Sequence, residues 1–466
     1  MNPFVVLVAS LLGATPPYVR AHTTKEASSH CLWWPTPTIT WQQNGAGNSA
    51  TGPSAFDAVT ASFATWQMAM EQCGSVKLVE GPRSSARLVG YNPDLPNNNV
   101  VLFRMSSCSK KVPSTDGCWQ LGTCGNKHDC WDHSSALLGI TTVSYDTATG
   151  RVYDADIELN SANNVYTTVN EPVCTGPLSQ SCVATDVGNT MTHEIGHFLG
   201  LGHALAPEST MSAVASIGDT NKRVLDVGTK AFVCEVYTKD LAPKDCVIDA
   251  TSNALGPPAD VKTGCSSASA GPAFLSLLAA AGLFRRRRGR AVVALLVALL
   301  APSAQATTVL ALDVPRLTEA SDAVVHAKVD RVESRWTGDH LRIVTDVHLV
   351  VVEPLKGATD AEVIITQAGG VVGRVGQLVE GMASFEAGEE VVVFLEARGE
   401  RYAVTGLSQG KFHVDRSATS EVPVARQPKT NIRFLDPTTA EPVNPLPLAL
   451  PLETLRAQVK AATQPR

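Results

Sequence analysis

His193-Glu194-Ile195-Gly196-His197-Phe198-Leu199-Gly200-Leu201-Gly202-His203 is the stretch around which this chain of 466 residues is organised. His193 and His197 are four apart, so on a helix both imidazoles leave one face and can hold one metal ion. Glu194 beside the first of them is placed to take a proton from water at that ion. Gly200 lets the backbone leave the helix sharply, because glycine accepts positive φ. The chain then turns back and His203 can supply a third nitrogen. Three neutral histidines leave a fourth position open, which marks a catalytic rather than a structural zinc site.

The spacing fits the long zincin pattern H-E-x-x-H-x-x-G-x-x-H at every fixed position. Further on, Met211 follows His203 in Glu208-Ser209-Thr210-Met211-Ser212-Ala213. Here the chain resembles the metzincins, and within them the matrixin-like peptidases, over about residues 32–240. The resemblance implies an α+β catalytic domain with a twisted mixed sheet, an active-site helix and a C-terminal helix. It implies Zn2+ on His193, His197 and His203, Glu194 as catalytic base, Met211 in the Met-turn beneath the metal, and protein or peptide substrates. Ser212-Ala213 stand where the family carries Tyr-Pro, and the chain has no Pro-Arg-Cys-Gly latency motif.

A formal net charge of −6 with 18% charged residues argues against nucleic acid as a partner. Ten of the 11 cysteines precede residue 250, and Cys265 stands alone after them. Such a set around a protease core points to disulfides and an oxidising compartment. The apolar run at residues 3–13, with Val19-Arg20-Ala21 behind it, reads as a signal peptide over 1–21, which implies export. The catalytic domain is then expected over 22–249.

Within it, Phe56, Val59, Phe63 and Trp66 recur at helical spacing after Pro53-Ser54. Strands are expected at residues 76–79, 87–91 and 100–105. Residues 106–134 read as a disulfide-pinned rim loop, in which His128-Asp129-Cys130-Trp131-Asp132-His133 offers a second metal site. Residues 137–145 and 152–160 read as two strands, and by resemblance the first is the edge that pairs with an extended substrate. Asp154, Asp156 and Glu158 alternate onto one face of the second; they could hold Ca2+ through hard oxygens, and a solvated acidic face is the plain alternative. Thr185-Asp186 offers an N-cap for an active-site helix over about 187–199. A closing helix is expected over 226–237, with Cys234 inside it.

Residues 250–270 form a small-residue linker. Cys265, the apolar run 272–284 and Arg285-Arg286-Arg287-Arg288 resemble the myxobacterial MYXO-CTERM sorting tag, and segment 271–306 as a whole carries a second signal-like run. Membrane association through 271–301 follows. A sorting-tag-like segment followed by a second signal-like run makes two exported proteins joined end to end an alternative to a true fusion, although no methionine between Met211 and Met382 offers an internal ATG start. Residues 307–420, rich in Val, Ile and Thr, are expected to make a separate small all-β barrel-like domain. The tail 421–466 is Pro-rich and ends in a helix around 452–462. Besides the protease, a surface-tethered binding protein with a vestigial zinc site remains a second reading.

Overall fold

The structure is a computed structural model that describes residues 18–24, 29–95, 97–204, 206, 208–213, 215–239, 309–310, 312–357, 360–416, 422–428, 434–435, 442–443 and 449–463. Most of the expected signal peptide, the linker, segment 271–306, Cys246 and Cys265 lie outside the described residues. Among the described residues no helix is long and apolar enough to cross a membrane.

The N-terminal half is a mixed α+β layer. β1 (Thr38–Gln43) alternates, burying Ile39, Trp41 and Gln43, as a strand with one covered face must. α1 (Ser54–Cys73) buries Val59, Phe63, Trp66 and Met70, one stripe at helical spacing. The stripe lies on the sheet, with the Phe63 ring stacked on Trp41 at 3.7 Å between centroids. β2 (Lys77–Glu80) and β3 (Asn99–Arg104) pair parallel with β1. β4 (Gly139–Asp146) pairs antiparallel with β5 (Val152–Asn160), and β5 runs parallel to β3.

Residues 87–91 form no strand. Their amides have other partners. Val89 N donates to Asn126 Oδ1 at 3.0 Å and Gly90 N to Asp156 Oδ2 at 2.6 Å. Side-chain acceptors thus satisfy backbone donors that a ladder would otherwise take.

The rim loop carries three short helices, α2 (Cys108–Lys111), α3 (Cys118–Leu121) and α4 (Cys124–His128). Cys108–Cys130 and Cys118–Cys124 pin them. A loop closed by Cys174–Cys182 separates two short parallel strands, β6 (Tyr166–Thr167) and β7 (Thr185–Asp186). Two helices complete this half, α5 (Val187–Phe198) and α6 (Val227–Val236). Cys73–Cys234 ties the end of α1 to α6.

After β8 (Val309–Leu310), Asp313 caps α7 (Val314–Ala320) by accepting from Arg316 N at 2.9 Å. There follow β9 (Ala323–Trp336), β10 (Ile343–Lys356), β11 (Glu362–Ala368), β12 (Gly370–Val372), β13 (Val375–Leu378), β14 (Glu390–Arg398) and β15 (Arg401–Val404). β15 pairs with both β14 and β11, so β11-β10-β9-β14-β15 closes into a ring around Val325, Val347, Ile365 and Val393. β16 (Lys411–Asp415), β17 (Val424–Arg426), β18 (Phe434–Leu435), β19 (Pro442–Val443) and β20 (Ala449–Pro451) come next. α8 (Leu452–Ala462) ends the described chain and packs Leu455 and Val459 into a cluster with Val314, Leu317 and Phe412.

This β-rich region was expected to stand apart, and it does not. The β12–β13 hairpin leaves the ring and pairs with β4, giving one seven-stranded sheet in the order β12-β13-β4-β5-β3-β1-β2. The physical reason is that β4 has an edge beyond β5, and an unpaired edge takes a strand.

Candidate active site

α5 delivers the first two histidines, and both its ends are fixed. At the start, Asp186 Oδ1 accepts from Asn189 N at 2.7 Å, satisfying one of the first-turn amides. Arg223 holds the same carboxylate through Nε at 2.7 Å. At the other end, Trp34 Nε1 donates to Phe198 O at 2.7 Å and Tyr237 Oη to Leu199 O at 2.9 Å. Leu201 N returns to Gly196 O at 2.9 Å across Gly200, whose φ is +96°. A side chain there would also stand 2.4 Å from Leu32 O. The helix therefore stops where the glycine allows, and the chain swings His203 back over it.

The three imidazoles converge. His197 Nε2 lies 3.1 Å from His193 Nε2 and 3.1 Å from His203 Nε2. His193 Nδ1 is 2.8 Å from Thr210 O and His197 Nδ1 is 2.8 Å from Leu201 O. A carbonyl can only accept, so both Nδ1 atoms carry the proton and both Nε2 atoms present lone pairs. Lone pairs facing one another at that distance repel unless a cation sits between them. A tetrahedral zinc with Zn–N near ~2.0–2.1 Å sets its ligand atoms about 3.3 Å apart, so the trio fits it. Burial pushes all three histidines below the ordinary imidazole range, His197 to about 4, which keeps them neutral and ready to ligate.

Glu194 is buried beside them. Thr141 Oγ1 on β4 donates to its Oε2 at 2.6 Å. A Cβ at Gly139 would stand 2.9 Å from its Oε1, so the strand leaves the carboxylate its space. Burial pushes Glu194 up to about 7, against the opposing pull of Thr141 and Lys222. Met211 is fully buried, and its Sδ lies where a side chain at Gly196 would have to go, 2.0 Å from that Cβ position. It thus packs directly under the helix that carries His193 and His197. Lys222 is also buried; its Nζ donates to Ser212 O at 2.5 Å and lies 3.4 Å from His193 Nδ1. Burial pulls this lysine down to about 7.

Sequence reasoning found the local pieces and missed the distant ones. Thr141 and Lys222 lie 53 and 29 residues from their partners, and no spacing rule links them. The acidic trio on β5 is inside rather than solvated. Asp156 accepts from Gly90 N and Val100 N, and Glu158 accepts from Arg104 Nε at 2.6 Å. Both Asp154 oxygens are buried without a hydrogen-bond partner. In the rim loop, Asp116, Cys118 and His128 come together, but Cys118 is bonded to Cys124. His133 approaches Asp132 at 3.3 Å and Glu158 at 3.6 Å instead. Cys31 is disulfide-bonded.

A cavity of about 590 Å³ opens beside the trio, lined by Leu137, Leu138, Ile140, Ala213, Ile217 and Lys222. A mostly apolar cleft next to three converging imidazoles and the Gly139–Thr141 stretch of β4 has the character of a pocket for an inserted side chain. No curated protein matches the chain. The family model for matrixin, peptidase M10, matches residues 127–238. This stretch contains the histidine trio, Glu194 and Met211, and it is similar to the zinc metalloproteases of the matrixin family.

Proposed function

We propose that the chain is an exported zinc-dependent endopeptidase. The observation that carries this reading is the convergence of three Nε2 lone pairs, two of them fixed by Nδ1–H bonds to backbone carbonyls. His193, His197 and His203 would hold the ion, which when bound acidifies water and polarises a carbonyl. The chain's own groups do the rest. Glu194 takes the proton of the attacking water and passes it to the departing amine as the C–N bond breaks. Thr141 holds the carboxylate at the cleft wall. The apolar pocket seats a substrate side chain, and its Lys222 end adds a polar contact. Export is supported by the disulfides, which persist in oxidising compartments.

Glu194→Gln is the test. It keeps shape and hydrogen-bonding capacity but removes the base. Cleavage of a short labelled peptide at saturating, millimolar concentration is expected to fall by about 10²–10⁴-fold, while metal analysis still finds one zinc per chain. A variant that cleaves at the parent rate would refute the assignment of Glu194, and a zinc-reconstituted parent without metal would refute the centre itself.

A further inference from the structure

The cleft wall is made by Gly139, Ile140 and Thr141 of β4, and the continuation of that strand, residues 143–146, is already paired on both sides. β5 takes one side. On the other, β13 runs antiparallel in the register Leu378↔Val143, Gln377↔Ser144, Gly376↔Tyr145, Val375↔Asp146. This is the edge to which an extended peptide would add as a strand. We propose that residues 375–381 are a built-in occupant of that groove, which keeps the full chain closed to polypeptide substrates until the hairpin leaves β4. The proposal rests on the protease reading and names its regulation.

The pairing is specific. Arg374 Nη2 meets Asp146 Oδ2 at 2.7 Å, and Thr147 N donates to Arg374 O at 3.0 Å. Gln377 Nε2 donates to Ser144 Oγ at 3.0 Å, and the half-buried Leu378 packs against the hydrophobic core of the N-terminal half. Gly376 lies flat on the buried Tyr145 ring, where a Cβ would come within 2.3 Å of Cζ. Only a glycine fits so close. Beyond β13 the chain turns to the metal side. Val379 and Glu380 line the same cavity as the three histidines. A Cβ at Gly202 would stand 3.2 Å from Glu380 Oε1, and one at Gly381 3.8 Å from His203 Cε1.

The hairpin is also anchored behind. Gln377 accepts from Ile343 N and donates to Leu341 O in the ring. Ring and rim are joined by Arg342–Asp132 at 2.8 Å and Ser134–Glu396 at 2.9 Å. A strand held this way competes as an intramolecular ligand, with an effective concentration on the order of millimolar. A free polypeptide at micromolar concentration and equal intrinsic affinity then loses by roughly 10³-fold.

The experiment uses the full chain, zinc-loaded, as parent and as Gly376→Val, whose side chain drives the hairpin off Tyr145. Two quantities are read: labelled-casein cleavage, and hydrogen–deuterium exchange of the amides of residues 143–146. In the variant, exchange is expected to quicken and cleavage to rise at least tenfold, with zinc content unchanged. If Gly376→Val misfolds, Arg374→Glu tests the same point on a side chain 73% exposed, by setting a carboxylate against Asp146. Its expected gain is about two- to fivefold, the worth of an exposed pair. Faster exchange at 143–146 with casein cleavage equal to that of an active parent would overturn the proposal. So would a parent whose 143–146 amides exchange freely. Faster exchange, with a peptide hydroxamate bound at least tenfold more tightly and no cleavage by either form, would keep the occupant and reject the protease.

Discussion

Asp154 and Glu158 stand four residues apart on β5 and meet burial in opposite ways. Burial penalises the charge of Glu158, but Arg104 outweighs it and holds the carboxyl down to about 2. An unfolded glutamate titrates near ~4.3. Its stabilising contribution is therefore complete above that value and is lost as pH falls toward 2. Asp154 has no cation. Burial, and then Asp156, push it well above the carboxylate range, and Asp156 itself is raised to about 7 by burial. Here the sign reverses. The protonated pair stabilises at low pH, and that contribution is lost as pH rises through about 7. Asp154→Asn mimics the protonated form. It is expected to raise the unfolding midpoint at pH 8 by a few degrees, at ~2–4 °C per kcal/mol for a domain of this size, and to change it little at pH 3, below the ~3.9 of an unfolded aspartate. Scanning calorimetry in chelator-treated buffer reads this. A lower midpoint for the variant at pH 8 in calcium buffer would instead speak for a cation on Asp154.

Among the elements, α5 shows why some of the fold was legible and some was not. Its start, its end and its ligands are local features: an acidic cap at Asp186, a glycine past the last turn, and imidazoles four apart. α1, β5, α6 and α8 were legible for the same reason, since period and punctuation lie within one segment. Residues 87–91 were not, because Asn126 and Asp156 claim their amides from far along the chain. β9 and β10 run well past their apolar stretches. Their second halves are held by pairing between the two strands, which composition alone does not report. β13 is short and unremarkable in sequence, and its partner lies more than 200 residues upstream. The cap on α5 is open to test. Asp186→Ala removes the acceptor for Asn189 N and the carboxylate that Arg223 grips. A loss of about 1–2 kcal/mol is expected, read as a lower midpoint in denaturant. Zinc affinity should hold, because His193 and His197 lie about two and three turns further along. A midpoint unchanged from the parent would mean that the cap contributes nothing.

Across the whole molecule, the two halves meet through charge as well as through the shared sheet. Burial disfavours both Asp132 and Arg342 as ions, yet each holds the other charged, Asp132 well below its usual range and Arg342 above. Arg342 grips both carboxylate oxygens, at 2.8 and 3.2 Å, and also donates to Gly122 O. Breaking such a pair leaves a buried charge alone, which costs about 3–5 kcal/mol. Replacing both partners removes that charge, so a double variant should recover much of the loss. Arg342→Met is thus expected to destabilise strongly, and Asp132→Asn with Arg342→Met less than the single change. The coupling term of the cycle is the quantity to measure. Additive losses would mean that the pair does not join the halves. The same cycle bears on the groove. If the ring is what holds β13 on β4, loosening it at Arg342 should speed exchange at residues 143–146, although the Arg342 guanidinium hydrogen-bonds to Asp132 and Gly122 rather than to either strand. A coupling term with no change in that exchange would place the grip on β4 in the hairpin itself, through Arg374, Gly376 and Leu378.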